Sequence, residues 1–190
     1  MANYILLQIA KTAILSKFNS KYGFDEVGLV EKYPFLSENG ATFVTLHYDN
    51  ELRGCIGSII AHRSLLDDVV QNALLASFDD PRFQPLSSDE FSHLKLEVSV
   101  LSKPEILEYA DFNDLLNKVQ PNIDGLILKY GAYQGTFLPQ VWEQLPLPKE
   151  FLEHLSIKAG SNPSIYNKYP AIYRYEVSAI EEDFDEILSL

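Results

Sequence analysis

The sequence has very little cysteine, methionine and tryptophan, with one residue of each among 190. A single cysteine excludes an intrachain disulfide and is typical of a protein in a reducing compartment. The first eleven residues lack the basic flank and small-residue cleavage site of a signal peptide, and no apolar run is long enough to span a membrane. We therefore expect a cytoplasmic protein that does not cross a membrane.

Positive charge is also scarce, with 15 Lys and Arg against 27 Asp and Glu, for a net charge of -12. An acidic surface repels phosphate backbones, and the basic residues are scattered rather than clustered, which disfavours nucleic-acid binding. The sequence also lacks a glycine-rich phosphate loop, a Cys-x-x-Cys pair and a nucleophile-elbow serine. It therefore identifies no cofactor.

Hydrophobic periodicity predicts a helix over residues 4–18, where apolar residues recur every three or four positions. Beyond this helix, short apolar runs separated by turn residues are typical of strands. The order strand, strand, helix, strand is then predicted twice. The first set comprises 41–48, 52–60, a helix capped at Ser64 and 94–101, and the second comprises 125–130, 135–138, a helix over 148–159 and 171–180.

Residue matches between the two sets indicate an internal ββαβ duplication. The segment 96–101 resembles 175–180, which makes Glu97 and Glu176 equivalent, and the pairs Tyr48/Tyr130 and Gly54/Gly135 fall at nearly the same offset. The shared tripeptide alone is compatible with chance, but three matches in one order favour duplication. We expect an α+β protein, one domain over 1–190, with two antiparallel-sheet subdomains and flanking helices. The halves are approximately 41–103 and 121–182, with a ligand cleft between them.

The segment Leu52–Gly57 contains the cysteine and is the main candidate for a functional site. Strand alternation places Arg53 and Cys55 on one face, where the guanidinium would favour the thiolate. Gly54 and Gly57 would leave room for a ligand. Two interpretations stay open for Cys55, a reactive thiol or a small buried hydrophobic residue. Arg53, inside a strand, needs a carboxylate, ligand or phosphate as its partner.

A histidine base for Cys55 is disfavoured by the expected register. A two-residue turn at Asp49-Asn50 pairs His47 with Leu52 and Cys55 with Val44, so that His47 projects from the opposite face. A register change of one residue would reverse this prediction. The other histidines lack metal-ligand spacing, so no metal site is predicted.

Four further residues are weaker candidates for a site. Glu97 has two interpretations, a solvent-facing strand residue or the ion-pair partner that orients Arg53. Arg82 follows a turn and would bind a ligand or form a surface salt bridge. Thr136 precedes Trp142, which we expect in the core. Lys158 is in the last turn of a helix, where it suits the helix dipole without any other role.

Several of these segments occur in an order that resembles the AMMECR family, over residues 4–180. The shared motifs are Leu52–Gly57, Asp80–Leu86, Leu96–Leu101, Gly125–Leu128, Gly135–Trp142 and Lys158–Gly160. The resemblance implies an α+β protein of two subdomains with a cleft, and no settled activity. In prokaryotes it implies a gene encoded beside, or fused to, a Memo-like protein similar to extradiol dioxygenases, and beside a radical-SAM enzyme. These two proteins are therefore the expected partners.

One loop departs from the family pattern. Lys158-Ala159-Gly160 is usually followed by leucine in the family, whereas Ser161-Asn162-Pro163 follows here. This difference leaves open the conformation of residues 160–168 and any ligand contact from them.

Two hypotheses of function follow from the sequence. The favoured one is a binding or adaptor component that uses an Arg53/Cys55 cleft to act with a Memo-like or radical-SAM partner. The alternative is an enzyme for a small anionic substrate, with Arg53 binding the anion, Cys55 as nucleophile or redox thiol, and Glu97 orienting Arg53. The sequence gives neither the substrate nor the oligomeric state.

Overall fold

The computed structural model describes residues 3–190 and confirms the α+β class with two antiparallel sheets. The α-helices are α1 (Tyr4–Ser16), α2 (Glu26–Lys32), α3 (Leu65–Phe78), α4 (Phe112–Lys118) and α5 (Pro148–Lys158). The strands are β1 (Asn39–Tyr48), β2 (Glu51–Gly57), β3 (Arg63–Ser64), β4 (Leu94–Leu101), β5 (Glu105–Ile106), β6 (Gly125–Tyr130), β7 (Tyr133–Phe137), β8 (Ala171–Tyr175) and β9 (Val177–Asp183).

The chain divides into two compact units, unit 1 with residues 3–101 and 178–190, and unit 2 with residues 102–177. In unit 1 the sheet order is β2-β1-β4-β9, and β3 pairs with the start of β1. Helices α1 and α3 supply apolar residues to the same core as Val44, Leu46 and Leu96. The predicted cap of α3 is confirmed, because the Ser64 side chain accepts a hydrogen bond from the Asp67 amide.

Unit 2 contains the second sheet, with the order β5-β8-β6-β7. The expected core position of Trp142 is confirmed, because the residue is 1% exposed and its ring stacks on Phe151 at 3.7 Å. Its indole Nε1 donates to the carbonyl of Asp124, at 2.8 Å. Within residues 3–190, no helix combines the length and apolar character needed to cross a bilayer.

The two units share the ββαβ order and the position of one glycine. Gly54 pairs with Leu46 and Gly135 with Leu128, each on the second strand of its hairpin. An added Cβ at Gly54 would collide with the Ala76 carbonyl oxygen near the end of α3. At Gly135 it would come within 2.7 Å of the amide nitrogen just after α5. Both glycines therefore allow the end of the following helix to approach the sheet.

The predicted strand over 171–180 is wrong, because it is two strands that belong to different sheets. β8 pairs with β5 and β6, whereas β9 lies beside β4 in unit 1, and Glu176 falls between them. Leu96 pairs with Leu46 and Ile172 with Leu128, so the counterpart of Glu97 is Tyr173 rather than Glu176. A matching tripeptide does not preserve hydrogen-bond register, which is the reason for the error.

Candidate functional site

The hairpin that presents Cys55 contains a β-bulge at Arg53. The turn residues Asp49 and Asn50 have φ of 49° and 67°, which is typical of the tight turns that join two strands. Leu52 then pairs with His47 as predicted, but Gly54 pairs with Leu46, which leaves Arg53 without a partner on β1. The extra residue shifts the register of the rest of β2 by one position.

This shift places Cys55 on a different face from the one predicted. Cys55 pairs with Thr45 rather than Val44, and Thr45 Oγ1 donates to its Sγ at 3.3 Å. Because β1 pairs regularly with β4, Thr45 and His47 lie on one face of the sheet. The prediction that His47 projects away from the face of Cys55 is therefore wrong.

The imidazole of His47 lies beside a carboxylate from β9, the strand at the opposite edge of the sheet from β2. Its Nδ1 lies 3.3 Å from Glu181 Oε2, and the two side chains are 27% and 39% exposed. The contact lacks hydrogen-bond alignment, since Nδ1 is buried without a hydrogen-bond partner. Glu181 belongs to β9, and β1 and β4 separate that strand from the strand of Cys55. The Glu181 carboxylate therefore approaches the imidazole from the β9 side of the sheet, away from β2.

The main chain of Cys55 is held by two side chains from the Asp80–Leu86 motif. β2 is an edge strand, so one row of its amides and carbonyls has no strand to pair with. Asp80 Oδ2 accepts from the Cys55 amide at 2.9 Å, and Arg82 Nη2 donates to the Cys55 carbonyl at 3.1 Å. The aspartate and arginine thus replace a neighbouring strand at this residue.

Asp80 and Arg82 also bind each other. Arg82 donates from Nε and Nη2 to the two carboxylate oxygens of Asp80, at 3.0 and 2.7 Å. Asp80 is 4% exposed, and its hydrogen bonds from the Arg82 side chain hold the pKa of the carboxyl well below its usual range. Asp80 is therefore an ionised, buried anchor for β2.

The partner of Arg53 is Glu90 rather than Glu97. Arg53 Nε and Nη2 donate to the two carboxylate oxygens of Glu90 at 2.6 and 3.1 Å, while Arg53 Nη1 is buried without a partner. Burial raises the pKa of Glu90, but its hydrogen bonds from Arg53 and the Ser87 amide outweigh this effect and lower it. Glu97 instead accepts from Ser99 Oγ at 2.7 Å. The Glu97–Arg53 ion pair considered from the sequence is therefore wrong.

The two guanidinium groups lie close to one aromatic ring, that of Phe83. The Cζ atoms of Arg53 and Arg82 are 5.9 and 5.4 Å from the centroid of Phe83, within cation–π range. The Arg53 side chain is 14% exposed and that of Arg82 is 51% exposed. We call Arg53, Cys55, Arg82 and Phe83 the motif patch. The most exposed charged group of the patch is the Arg82 guanidinium, whose carboxylate partner Asp80 is buried.

The space beside the glycines of the motif is already filled. A Cβ added at Gly57 would collide with the Phe43 ring. A Cβ added at Gly54 would collide with the Ala76 carbonyl oxygen. These contacts account for both glycines by packing within unit 1.

Thr136 and Lys158 lie in unit 2, where both have local partners. Thr136 Oγ1 donates to the Leu126 carbonyl at 3.0 Å, and Lys158 Nζ is 5.8 Å from the Phe137 ring centroid. Gly160 follows the end of α5 with a φ of 85°, the left-handed conformation that is typical of a glycine cap. In the atypical loop that follows, Asn162 caps a short 3₁₀ helix at Pro163–Lys168 by accepting from the Ser164 amide.

Sequence reasoning missed Glu90, Asp80 and Thr45. Glu90 carried a local signal, because Ser87-x-x-Glu90 is a capping box and the structure contains it. Asp80 and Thr45 had no comparable signal, since their roles depend on how β2 pairs with β1.

The fold and the site together define an α+β protein of two antiparallel sheets. Its cysteine motif lies on the edge strand β2, whose main chain is bound by Asp80 and Arg82. A family model described as AMMECR1 matches residues 7–180. A Methanocaldococcus jannaschii protein is 37% identical over 163 residues, covering 81% of this chain and 79% of that protein. A Sulfolobus acidocaldarius protein is 35% identical over 196 aligned positions, covering 97% and 85%.

A solved structure agrees with these sequence matches. The crystal structure of an uncharacterized protein from Pyrococcus horikoshii is similar with a TM-score of 0.75 and 31% identity, covering 94% of this chain and 90% of that one. The chain belongs to the AMMECR1 family.

Proposed function

We propose that this protein is a binding component that uses the motif patch to recognise an acidic group on a protein partner. The proposal rests on the observation that the polar groups of the motif already form hydrogen bonds within the protein. The amide and carbonyl of Cys55 are held by Asp80 and Arg82, its thiol accepts from Thr45, and Arg53 is held by Glu90. A catalytic nucleophile needs a base and free access instead.

The chemistry of the patch fits protein recognition. Arginine and aromatic residues are enriched among the residues that dominate binding energy at interfaces. Arg82 is half exposed, is held rigid by Asp80 and packs on Phe83. A rigid guanidinium loses little conformational entropy when it binds a carboxylate. In a chain with a net charge of -12, such a local positive site selects for acidic groups.

The partner that we propose is a Memo-like protein, acting together with a radical-SAM enzyme. This part of the proposal rests on the family to which the chain belongs. The motif patch would then supply a docking surface rather than a reacting group.

The experiment is titration calorimetry of the full chain with a purified Memo-like protein. We expect saturable binding that Arg82→Ala weakens about tenfold or more, because a charge-assisted hydrogen bond contributes about 1.5–3 kcal/mol. Cys55→Ser should bind as wild type does, and Lys21→Ala is the control for loss of an exposed positive charge. Binding that is absent in wild type, or unaffected by Arg82→Ala, would refute the proposal.

A second candidate, an enzyme with Cys55 as nucleophile, is favoured by one observation. The bulge places His47 and Cys55 on the same face of the sheet, so that an imidazole base is available from β1. Glu181 would orient the ring. This enzyme would require His47 to accelerate reactions of the Cys55 thiol, which can be measured directly.

A further inference from the structure

Unit 2 contains a polar cavity of about 310 Å³ whose lining includes no residue of the motif patch. Asp124, just before β6, and Glu176, just after β8, line this cavity together with Arg174 and Lys103. Gly125 pairs with Tyr175, so Asp124 and Glu176 extend the same two neighbouring strands. The cavity therefore carries side chains of both charge signs at one end of the second sheet.

Asp124 is the fixed acidic group of the cavity. The residue is 2% exposed, and its carbonyl oxygen is held by the Trp142 indole at 2.8 Å. Its Oδ2 accepts from the Gln120 amide at 2.9 Å, while Oδ1 has no hydrogen bond within residues 3–190. Burial raises the pKa of Asp124, and its hydrogen bond from Gln120 and the nearby Arg174 charge act in the opposite direction. One carboxylate oxygen of this buried residue, Oδ1, is thus available to a donor.

Arg174 is the basic group of the cavity nearest to Asp124 in charge effect, and its environment differs from that of the other arginines. Arg53, Arg63 and Arg82 each hold a carboxylate oxygen at 2.6–2.7 Å. The guanidinium of Arg174 makes no hydrogen bond or ion pair within the described part of the chain. Its backbone lies opposite Leu126 on one side and Glu105 on the other. Five guanidinium N–H groups are therefore free for a ligand.

The two free groups set the charge of the ligand. A simple anion would be attracted by Arg174 and Lys103 but repelled by the carboxylates of Asp124, Glu176 and Glu105, the last of which lies opposite Arg174 on β5. A simple cation would be attracted by the carboxylates but repelled by Arg174 and Lys103. A molecule with a carboxylate and an ammonium satisfies both groups, and 310 Å³ is at the small end of ligand cavities. We propose that this cavity binds a small zwitterion of the amino-acid type, with its carboxylate on Arg174 and its ammonium at Asp124.

The test uses ligand-observed NMR and calorimetry on the wild-type full chain with each proteinogenic amino acid. We expect at least one to bind saturably, with a Kd of about 1 mM or tighter. Its N-acetyl and its amide derivatives each remove one charge, and each should bind about tenfold more weakly or worse. Absence of binding by every amino acid, or binding of both capped forms as tight as that of the free amino acid, would overturn the proposal.

Arg174→Gln tests the assignment of the carboxylate. It should weaken binding about tenfold or more, whereas Lys149→Gln, which removes an exposed charge elsewhere in unit 2, should not. Thermal melts of both variants check the fold. Unchanged affinity in a folded Arg174→Gln would contradict the proposal. Arg82→Ala should leave this binding intact, so the outcome is independent of the function proposed for the motif patch.

Discussion

The second strands of the two hairpins differ by one residue, and that residue is Arg53. From Tyr48 to Gly54 there are six steps along the chain, and from Tyr130 to Gly135 there are five. Both glycines nevertheless pair with a leucine and lie against the end of a helix. The additional step in unit 1 is the bulge that leaves Arg53 unpaired on β1. One inserted residue therefore brings an arginine to the edge strand without disturbing the glycine contact.

The equivalent rows across the two sheets also differ in chemistry. In unit 1 the row is Cys55, Thr45 and Glu97, which are polar or polarisable. In unit 2 the same row is Thr136, Ile127 and Tyr173. The clamp from Asp80 and Arg82 acts on Cys55, whereas among the described residues no side chain bonds the main chain of Thr136. The two units share the same strand topology, and the residue differences along this row give unit 1 the motif patch.

The largest loss of stability is expected when a methyl group is added at Gly54 or at its counterpart Gly135. Gly54→Ala should destabilise the protein by about 3 kcal/mol or more, because the new Cβ would collide with a backbone carbonyl. Gly135→Ala should cost less, about 1–3 kcal/mol, since its contact is longer. Urea denaturation followed by circular dichroism measures both.

Gly23→Ala is the control for these two variants, because nothing lies within 4 Å of its added Cβ. Its stability should stay within about 0.5 kcal/mol of wild type. If Gly54→Ala were as stable as this control, the close approach of α3 to β2 would be refuted.

A smaller loss of stability is expected from Asp80→Asn, whose contacts all lie in unit 1. The variant should lose about 3 kcal/mol at neutral pH, because it removes a buried charge from Arg82 and weakens the bond to the Cys55 amide. The neighbouring Asp79→Asn is a matched control at an exposed carboxylate, and its effect should be below about 0.5 kcal/mol.

Acid should narrow the difference in stability between wild type and Asp80→Asn. The folded pKa of Asp80 lies below its unfolded value of about 3.9, so its stabilisation is complete above that pH and is lost as the pH falls through the acid range. Urea midpoints measured from neutral pH down to about pH 2 should converge. A constant gap across this range would show that the charge of Asp80 does not stabilise β2.

The sequence was sufficient for the parts of the fold that local patterns determine. The Asp49-Asn50 turn and the alignment of Gly54 with Gly135 follow from residue types and spacing. The register after the turn does not, because a bulge depends on contacts across strands. Arg53 and Glu90 are 37 positions apart, and no local pattern joins them. The Glu-Val-Ser match misled the prediction because identity at three positions does not specify which strand pairs with which.

The most direct test of the central claim, that Cys55 is part of a binding surface and not a nucleophile, is the alkylation rate of its thiol. Cys55 is the only cysteine, so intact mass after iodoacetamide treatment reports this residue alone. We expect His47→Gln to react within about twofold of the wild-type rate at about pH 6, because the hydrogen bond to the Cys55 thiol comes from Thr45 Oγ1 and not from His47. A wild-type rate at least about tenfold faster than that of His47→Gln would contradict the account and favour the enzyme.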